Sequence, residues 1–424
     1  MTTLDSTTEL NHRWPQFLPD GRHFLYWLMT TDREKRGVVL ASLDDKPDSK
    51  DRKRLLAGSS MAAYSAGHLL FERESALMAQ PFDAARLQFH GEAFPVAQQV
   101  AQLGGTQGWA AFSVSPDGTL TYHTGGGIKT QLAWFDRSGR ELSRLGQPEE
   151  QTHPRISPDQ KRVAVDRSDA HGPNDIWLLD LAQDKSTRFT FHPATDNSPA
   201  WSPDSSRIVF ASTRDGLSNL YQKASSGAAN EEPLLKSTEA KYPTDWSSDC
   251  RFILYQAIHS KTGLDLAVLP LEGPEAAPGK PIPFLQTEFN ETLGQFSPDT
   301  HWIAYWSNES TPAQVYVQGF PKSGGKFQVS TNGGGWPRWR RDGKELYYLG
   351  PDRKMMAVEV KATATAFETG RPRELFQTRA GSLAAPFIPI YDVTADGQRF
   401  LINCALEAEG PPPITVVMNW APKN

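Results

Sequence analysis

The aspartates of this 424-residue chain are the first candidates for chemistry, because eight of them recur in one setting. Asp20, Asp117, Asp159, Asp204, Asp249, Asp299, Asp342 and Asp396 each sit in a short turn motif, most often Ser-Pro-Asp. Carboxylates at equivalent positions of a ring could gather cations. They also have a local task, because an aspartate in a turn accepts hydrogen bonds from backbone N–H groups nearby, and turn capping is the expected role. The ten histidines (His12, His23, His68, His90, His123, His153, His171, His192, His259 and His301) show no His-x-x-x-His spacing, so a zinc-type site has no local support. A serine nucleophile on an elbow needs Gly-x-Ser-x-Gly, which is absent. GGGIKT at 125–130 imitates a phosphate loop, but Ile128 stands between Gly127 and Lys129 and breaks the required order. No catalytic residue, cofactor site or metal ligand is therefore assigned. Binding remains open at His153, Asn197, Tyr242, Glu291 and Trp336, which come just before the first strand of successive repeats and vary in type as a rim would.

These residues are positioned by a repeat. PRISPDQKRVAV (154–165), PAWSPDSSRIVF (199–210), TDWSSDCRFILY (244–255) and GQFSPDTHWIAY (294–305) align without gaps on their aspartates. Further copies lie at Asp20, Asp117, Asp342 and Asp396, and YSAGHLLF (64–71) is a degraded ninth. From Asp117 onward the spacing runs from 42 residues (Asp117 to Asp159) to 54 (Asp342 to Asp396). An apolar residue stands three before each aspartate, as in Ile156, Trp201, Trp246, Phe296 and Trp339, and apolar pairs follow at four and six after it, as in Ile208 and Phe210. Period-two alternation on both sides of a turn predicts a β-hairpin with one buried face. The tryptophans share their column with Val114 and Ile156, which points to packing rather than a ligand cage. A third strand follows (DIWLLDL, NLYQKAS, LDLAVLP, QVYVQGF, MMAVEVK), and often a fourth (STRFTF, KFQVS, RELFQT). Four short antiparallel strands in about 45 residues make one blade of a β-propeller, an all-β architecture in which blades are stable only when stacked.

The pattern P-x-W-S-P-D-G-x-x-I-x-F, followed by a strand such as NDIWLLDL, resembles the WD-repeat-like blade of the TolB family of periplasmic proteins. QLAWFDRSGRE, KYPTDWS, YVQGFP, PRWRRDGKELYYL and ITVVMNW are similar to the C-terminal propeller region of membrane-anchored bacterial serine/threonine kinases. The resemblance covers essentially the whole chain. It implies a sensor or interaction domain, placed outside the cytoplasm if it follows a membrane helix. The kinase motifs HRD and DFG are absent, so the chain is not expected to phosphorylate anything itself.

Nine copies exceed the usual four to eight blades of a ring. The expected division is a partial propeller of about two blades over 1–105 and a closed ring of six or seven blades over 106–424, with the glycine-rich QLGGTQGW (102–109) as junction. One large ring over 1–424 is the alternative. The ring is expected to end at ITVVMNW one strand short, and a segment from its other end would close the edge.

The composition suits a globular repeat protein, with 38% hydrophobic residues, 12 tryptophans and a net charge of −5. Charges are interspersed, and Arg338, Arg340 and Arg341 are too short a cluster for a nucleic-acid footprint. Cys250 and Cys404 read as two ordinary buried thiols. The first residues lack the basic start and apolar stretch of a secretory leader, and no run of about 18 apolar residues predicts a membrane-spanning helix. The expected function is a non-catalytic platform for a protein or peptide. The rival readings are a hydrolase or lyase with its site in the channel, and a fragment of a longer kinase chain.

Overall fold

The turn motif builds its hairpin by local hydrogen bonding. The computed structural model describes residues 2–5, 8–30, 32–46, 52–58, 60–103, 108–124, 129–168, 173–273, 277–321, 325–381, 388–406 and 414–421. In it Ser202 Oγ donates to Asp204 Oδ1 at 2.6 Å, Asp204 Oδ1 accepts from Ser206 N at 3.0 Å, and Ser202 Oγ accepts from Arg207 N at 2.9 Å. The same three bonds recur around Asp159, Asp249 and Asp396. The residue after the aspartate is left-handed in all eight copies. Glycine occupies it at 21, 118, 343 and 397, whereas Gln160, Ser205, Cys250 and Thr300 hold φ of 57°, 62°, 62° and 63°. The strand alternation then sets the register, with Trp201 opposite Ile208 and Ala200 opposite Val209. The aspartates therefore cap turns.

The chain forms two compact units. The larger, Ile128–Leu406, contains six antiparallel sheets, here blades A to F. The innermost strands of blades A to E are Gln151–Ile156, Asp196–Trp201, Ala240–Trp246, Glu291–Phe296 and Gly335–Trp339. Blade F is composite. Its inner strands, Tyr391–Val393 and Arg399–Ala405, come from the end of the unit, and its outer strands, Thr130–Asp136 and Glu141–Glu149, come from the beginning. Leu132 pairs with Asn403 and Trp134 with Leu401. The innermost strand of F packs against those of both E and A, so the six blades close into a ring. Each interface between blades has its own apolar core. Ala164, Ile176, Trp201 and Ile208 join A to B, and Leu132, Trp134, Val163, Val165 and Leu401 join F to A. Fully buried side chains such as Ile208, Phe210 and Val163 each contribute about 1.5–3 kcal/mol of transfer free energy.

The smaller unit, Met1–Gly127 with Glu407–Asn424, holds the first two copies of the motif and a third. Glu9–Phe17, His23–Thr30, Gly37–Ser42 and Lys53–Ala57 form one four-stranded sheet. The degraded copy forms a hairpin between Ala62–Ser65 and His68–Arg73, with Ala66 and Gly67 both left-handed as a two-residue turn requires. The third sheet pairs Phe112–Val114 and Leu120–His123 with the late strand Ile414–Val417.

This division differs from the sequence expectation of 1–105 and 106–424. The Asp117 repeat belongs to the smaller unit, and ITVV completes that repeat's sheet, with Leu120 opposite Val417. The ring is closed instead by QLAWFDRSGREL, two strands joined by a turn that cover the free edge of Arg399–Ala405. Residues 104–107 of the expected junction and 125–128 of GGGIKT lie outside the described residues, as does His171.

Candidate functional site

Alternation has a second consequence at the ring axis. If the residue three before each turn aspartate packs between blades, the residue four before it faces the opposite way. In blades A to F these are Arg155, Ala200, Asp245, Gln295, Arg338 and Asp392, and all six line one cavity of about 260 Å³ on the axis. The cavity opens on the side of the Pro-Asp turns and is edged by Trp201, Trp246 and Trp339. Two of those indoles tie neighbouring blades together. Trp201 Nε1 donates to Arg155 O at 3.0 Å and Trp339 Nε1 to Gln295 O at 3.3 Å. The tryptophans thus pack between blades, as expected, and also form the cavity wall.

The charged members are largely sequestered from water. Asp392 Oδ2 accepts from Ile156 N at 2.8 Å, and Asp245 Oδ2 accepts from Phe296 N at 2.8 Å, so each carboxylate links its blade to the next. Arg155 reaches across to donate from Nη2 to Thr244 O at 2.9 Å. Gln295 Nε2 donates to the same carbonyl at 2.8 Å. Arg338 donates from Nη1 to the carbonyl of its neighbour Pro337 at 2.8 Å, and its Nε lies 3.2 Å from Asp392 Oδ1 without hydrogen-bond geometry. Arg155 Nε and Arg338 Nε and Nη2 are buried without a hydrogen-bond partner. Burial, then the like charge of Arg338, pushes the Arg155 guanidinium down to about 9. Burial likewise lifts the Asp245 carboxyl to about 6 against the pull of Arg155.

The five residues singled out in sequence lie within the innermost strands rather than before them, in their first halves. His153 is held at φ 53° by a bulge. Its Nδ1 is 2.7 Å from Asp166 Oδ1 and its Nε2 is 3.2 Å from Ser198 Oγ. Ser198 occupies the matching bulge of blade B at φ 56°, beside Asn197, whose Oδ1 is buried and unpartnered. Tyr242 is half-buried, and burial raises its hydroxyl against a hydrogen bond to Ser218. Glu291 is buried, which raises its carboxyl against a 2.6 Å hydrogen bond from Thr287. Trp336 is core, donating from Nε1 to Ile388 O at 2.6 Å. The structure therefore joins His153 to Ser198 and places Glu291 and Trp336 in blade interiors. Sequence reading missed the axial column itself. Its signal was the mixed charge of Arg155, Asp245, Gln295, Arg338 and Asp392 beside a uniformly apolar column.

A larger open groove of about 780 Å³ runs between blades D and E past Asp299, Arg340, Asp342 and Glu345. Its charges satisfy one another, since Arg340 bonds both Asp342 and Glu345. Among the described residues no three His, Cys, Asp or Glu side chains are grouped to hold a metal ion. Glu9 and His12 stand at Glu-x-x-His spacing, 3.1 Å apart, but Arg52 completes that group as an ion pair with Glu9. Both cysteines are free. Cys250, contrary to expectation, is exposed, because it is the left-handed turn residue, and Cys404 is buried with its thiol pushed up to about 11.

Residues 112–274 match the family model of the TolB beta propeller domain. A structure assigned as TolB from Agrobacterium tumefaciens is similar at 18% identity and a TM-score of 0.51, covering 67% of this chain and 100% of that one. TolB from Acinetobacter baumannii aligns at 13% identity and a TM-score of 0.42, over 79% of this chain and 78% of its own. An oligogalacturonate lyase from Vibrio parahaemolyticus aligns at 12% identity and 0.39, over 69% and 96%. No helix among the described residues is long and apolar enough to cross a membrane. Its repeated Ser-Pro-Asp hairpins and its ring of antiparallel blades make the larger unit a β-propeller, and the segment 112–274 is similar to the TolB beta propeller domain.

Proposed function

We propose that the ring is a binding platform that receives a protein or peptide segment at the turn-side mouth of its axis. One observation carries the reading: a cavity walled by tryptophans holds buried guanidinium N–H groups with no hydrogen-bond partner among the described residues. Aromatic residues and arginine around a desolvated pocket are the types that concentrate binding energy in interfaces. In a signalling or envelope setting such a platform would act as a sensor or scaffold, as the resemblance to kinase-linked propellers implies. The test is selection of peptides from a random displayed library on the whole protein, followed by charge reversal at the exposed mouth. Arg341→Glu should weaken the selected peptides at least tenfold, about 1.4 kcal/mol. Arg22→Glu, in an exposed turn of the smaller unit, should leave them unchanged. Selected peptides that tolerate Arg341→Glu overturn the reading.

A second reading, acyl hydrolysis, is favoured by the Ser198–His153–Asp166 contacts, which have the order of a nucleophile, base and orienting carboxylate. Against it, Pro199 follows the serine and offers no N–H for an oxyanion. Treatment with a fluorophosphonate probe decides between them. Modification of Ser198 in the folded protein, lost in Ser198→Gly, would establish the hydrolase. Glycine suits the left-handed φ there.

A further inference from the structure

We infer that the axial cavity is a carboxylate site, in which Arg155 and Arg338 grip an acidic group of the bound segment. This rests on the platform reading and names the chemistry that the platform recognises.

Among the described residues Arg155 Nε and Arg338 Nη2 have no hydrogen-bond partner, and Arg338 Nε has only the 3.2 Å ion-pair contact with Asp392 Oδ1. Gln295 also spends its amide N–H groups on the carbonyls of Thr244 and Gly294. On the acceptor side, both carboxylates are already engaged by the backbone. Asp245 and Asp392 each take a backbone N–H of the next blade, and Asp392 also neutralises Arg338 through its other oxygen. The cavity thus presents a surplus of charged donors. Arg338 is 2% exposed and Arg155 8%, so bulk water satisfies these groups poorly. Leaving a buried charged donor unmade is costly, and a ligand that completes it recovers that cost.

The missing partner must be an anion with paired acceptor oxygens, and guanidinium groups match a planar carboxylate through parallel N–H···O bonds. One negative charge suffices here, because Asp245 and Asp392 already balance two guanidiniums formally. A dianion would face both carboxylates. A volume of about 260 Å³ holds a carboxylate together with a neighbouring side chain, and the walls for that side chain are Trp201, Trp246 and Trp339. The occupant is a peptide carboxylate beside an apolar or aromatic residue, supplied by a C-terminus or by an Asp or Glu side chain.

Three peptides separate these cases when titrated into the full chain by calorimetry: Ac-Gly-Phe-Gly-Ala with a free C-terminus, Ac-Gly-Phe-Gly-Asp-amide, and Ac-Gly-Phe-Gly-Asn-amide. At least one carboxylate peptide should bind saturably and at least tenfold tighter than the carboxamide, and whichever of the two binds tighter identifies the source. Arg338→Gln should lose the preference for carboxylate. Arg338→Lys, which keeps the charge in place, should retain only part of it. Asp392→Asn removes the carboxylate that competes for Arg338 and should tighten carboxylate binding several-fold, a gain that a damaged fold does not produce. Equal binding of all three peptides, no binding of any, an unchanged preference in Arg338→Gln, or competition by inorganic phosphate better than by the peptides would each overturn the inference. Equal binding that still responds to Arg341→Glu would remove the carboxylate site and leave the platform standing.

Discussion

Glu345 is the residue on which closure of the ring can be measured. It lies on the second strand of blade E, its side chain 6% exposed, and it accepts from three arginines. Arg137, from the outer hairpin of blade F, makes a two-pronged contact at 3.0 and 2.9 Å. Arg340 bonds it at 2.7 Å, Arg373 at 2.6 Å and Tyr347 at 2.7 Å. Burial alone would raise its carboxyl, but the hydrogen bonds from Arg137, Tyr347 and Arg373 outweigh burial and hold it at about 2, against an ordinary 4.5. At 1.36 kcal/mol per unit, a difference of about 2.5 units corresponds to about 3 kcal/mol of native-state preference for the ionised form. Glu345→Gln keeps the shape and removes the charge, leaving three guanidiniums facing one another. Urea or thermal unfolding at neutral pH should show the ring transition weakened by about 3 kcal/mol, or about 6 °C in Tm for a unit of this size. A depressed carboxyl stabilises above its unfolded pKa and loses that contribution as pH falls through its folded one. The gap between wild type and variant should therefore be full above about pH 5 and close toward pH 2. A loss below about 1 kcal/mol, or a gap as wide at pH 3 as at pH 7, would refute the assignment of Glu345 as the electrostatic clasp between blades E and F.

Three further outcomes are expected. Gly139, at φ 82°, would place a Cβ 2.5 Å from that of buried Phe376, so Gly139→Ala should destabilise the ring by about 2 kcal/mol or more, read from the urea midpoint. Cys250 is exposed and left-handed where other repeats have glycine, so Cys250→Gly should raise stability by a few tenths to about 1 kcal/mol in the same assay. Asp245, lifted to about 6 by burial and facing Arg155 and Arg338, takes up a proton on folding between about pH 6 and 4. A raised carboxyl adds stability as pH falls through that window. The stability of Asp245→Asn relative to wild type should be greatest at pH 7 and decline below pH 6, and a flat difference would remove Asp245 from the titrating groups.

The repeat and the fold were legible in the chain because their causes are local. A turn aspartate meets its Ser or Thr and its backbone donors within five residues, and alternation over six residues decides which side chains are buried. The same code reads identically in Gly118 and Cys250, although only one of them is comfortable in the left-handed turn. Local rules do not say which strand covers the last edge. ITVV and QLAWFDRS are both good strands, and only the ring's closure assigned the second to blade F and the first to the smaller unit. The candidate site was harder still. His153 was visible as a variable rim residue, but its partners are 13 and 45 residues away, on another strand and another blade. Arg338 was visible only as part of a short basic run that spacing could not orient. It acquires meaning beside Arg155, Asp245 and Asp392, residues from four blades that meet because six repeats rotate about one axis. The chain determined a propeller blade by blade; the surplus of donors at its centre exists only once the blades close.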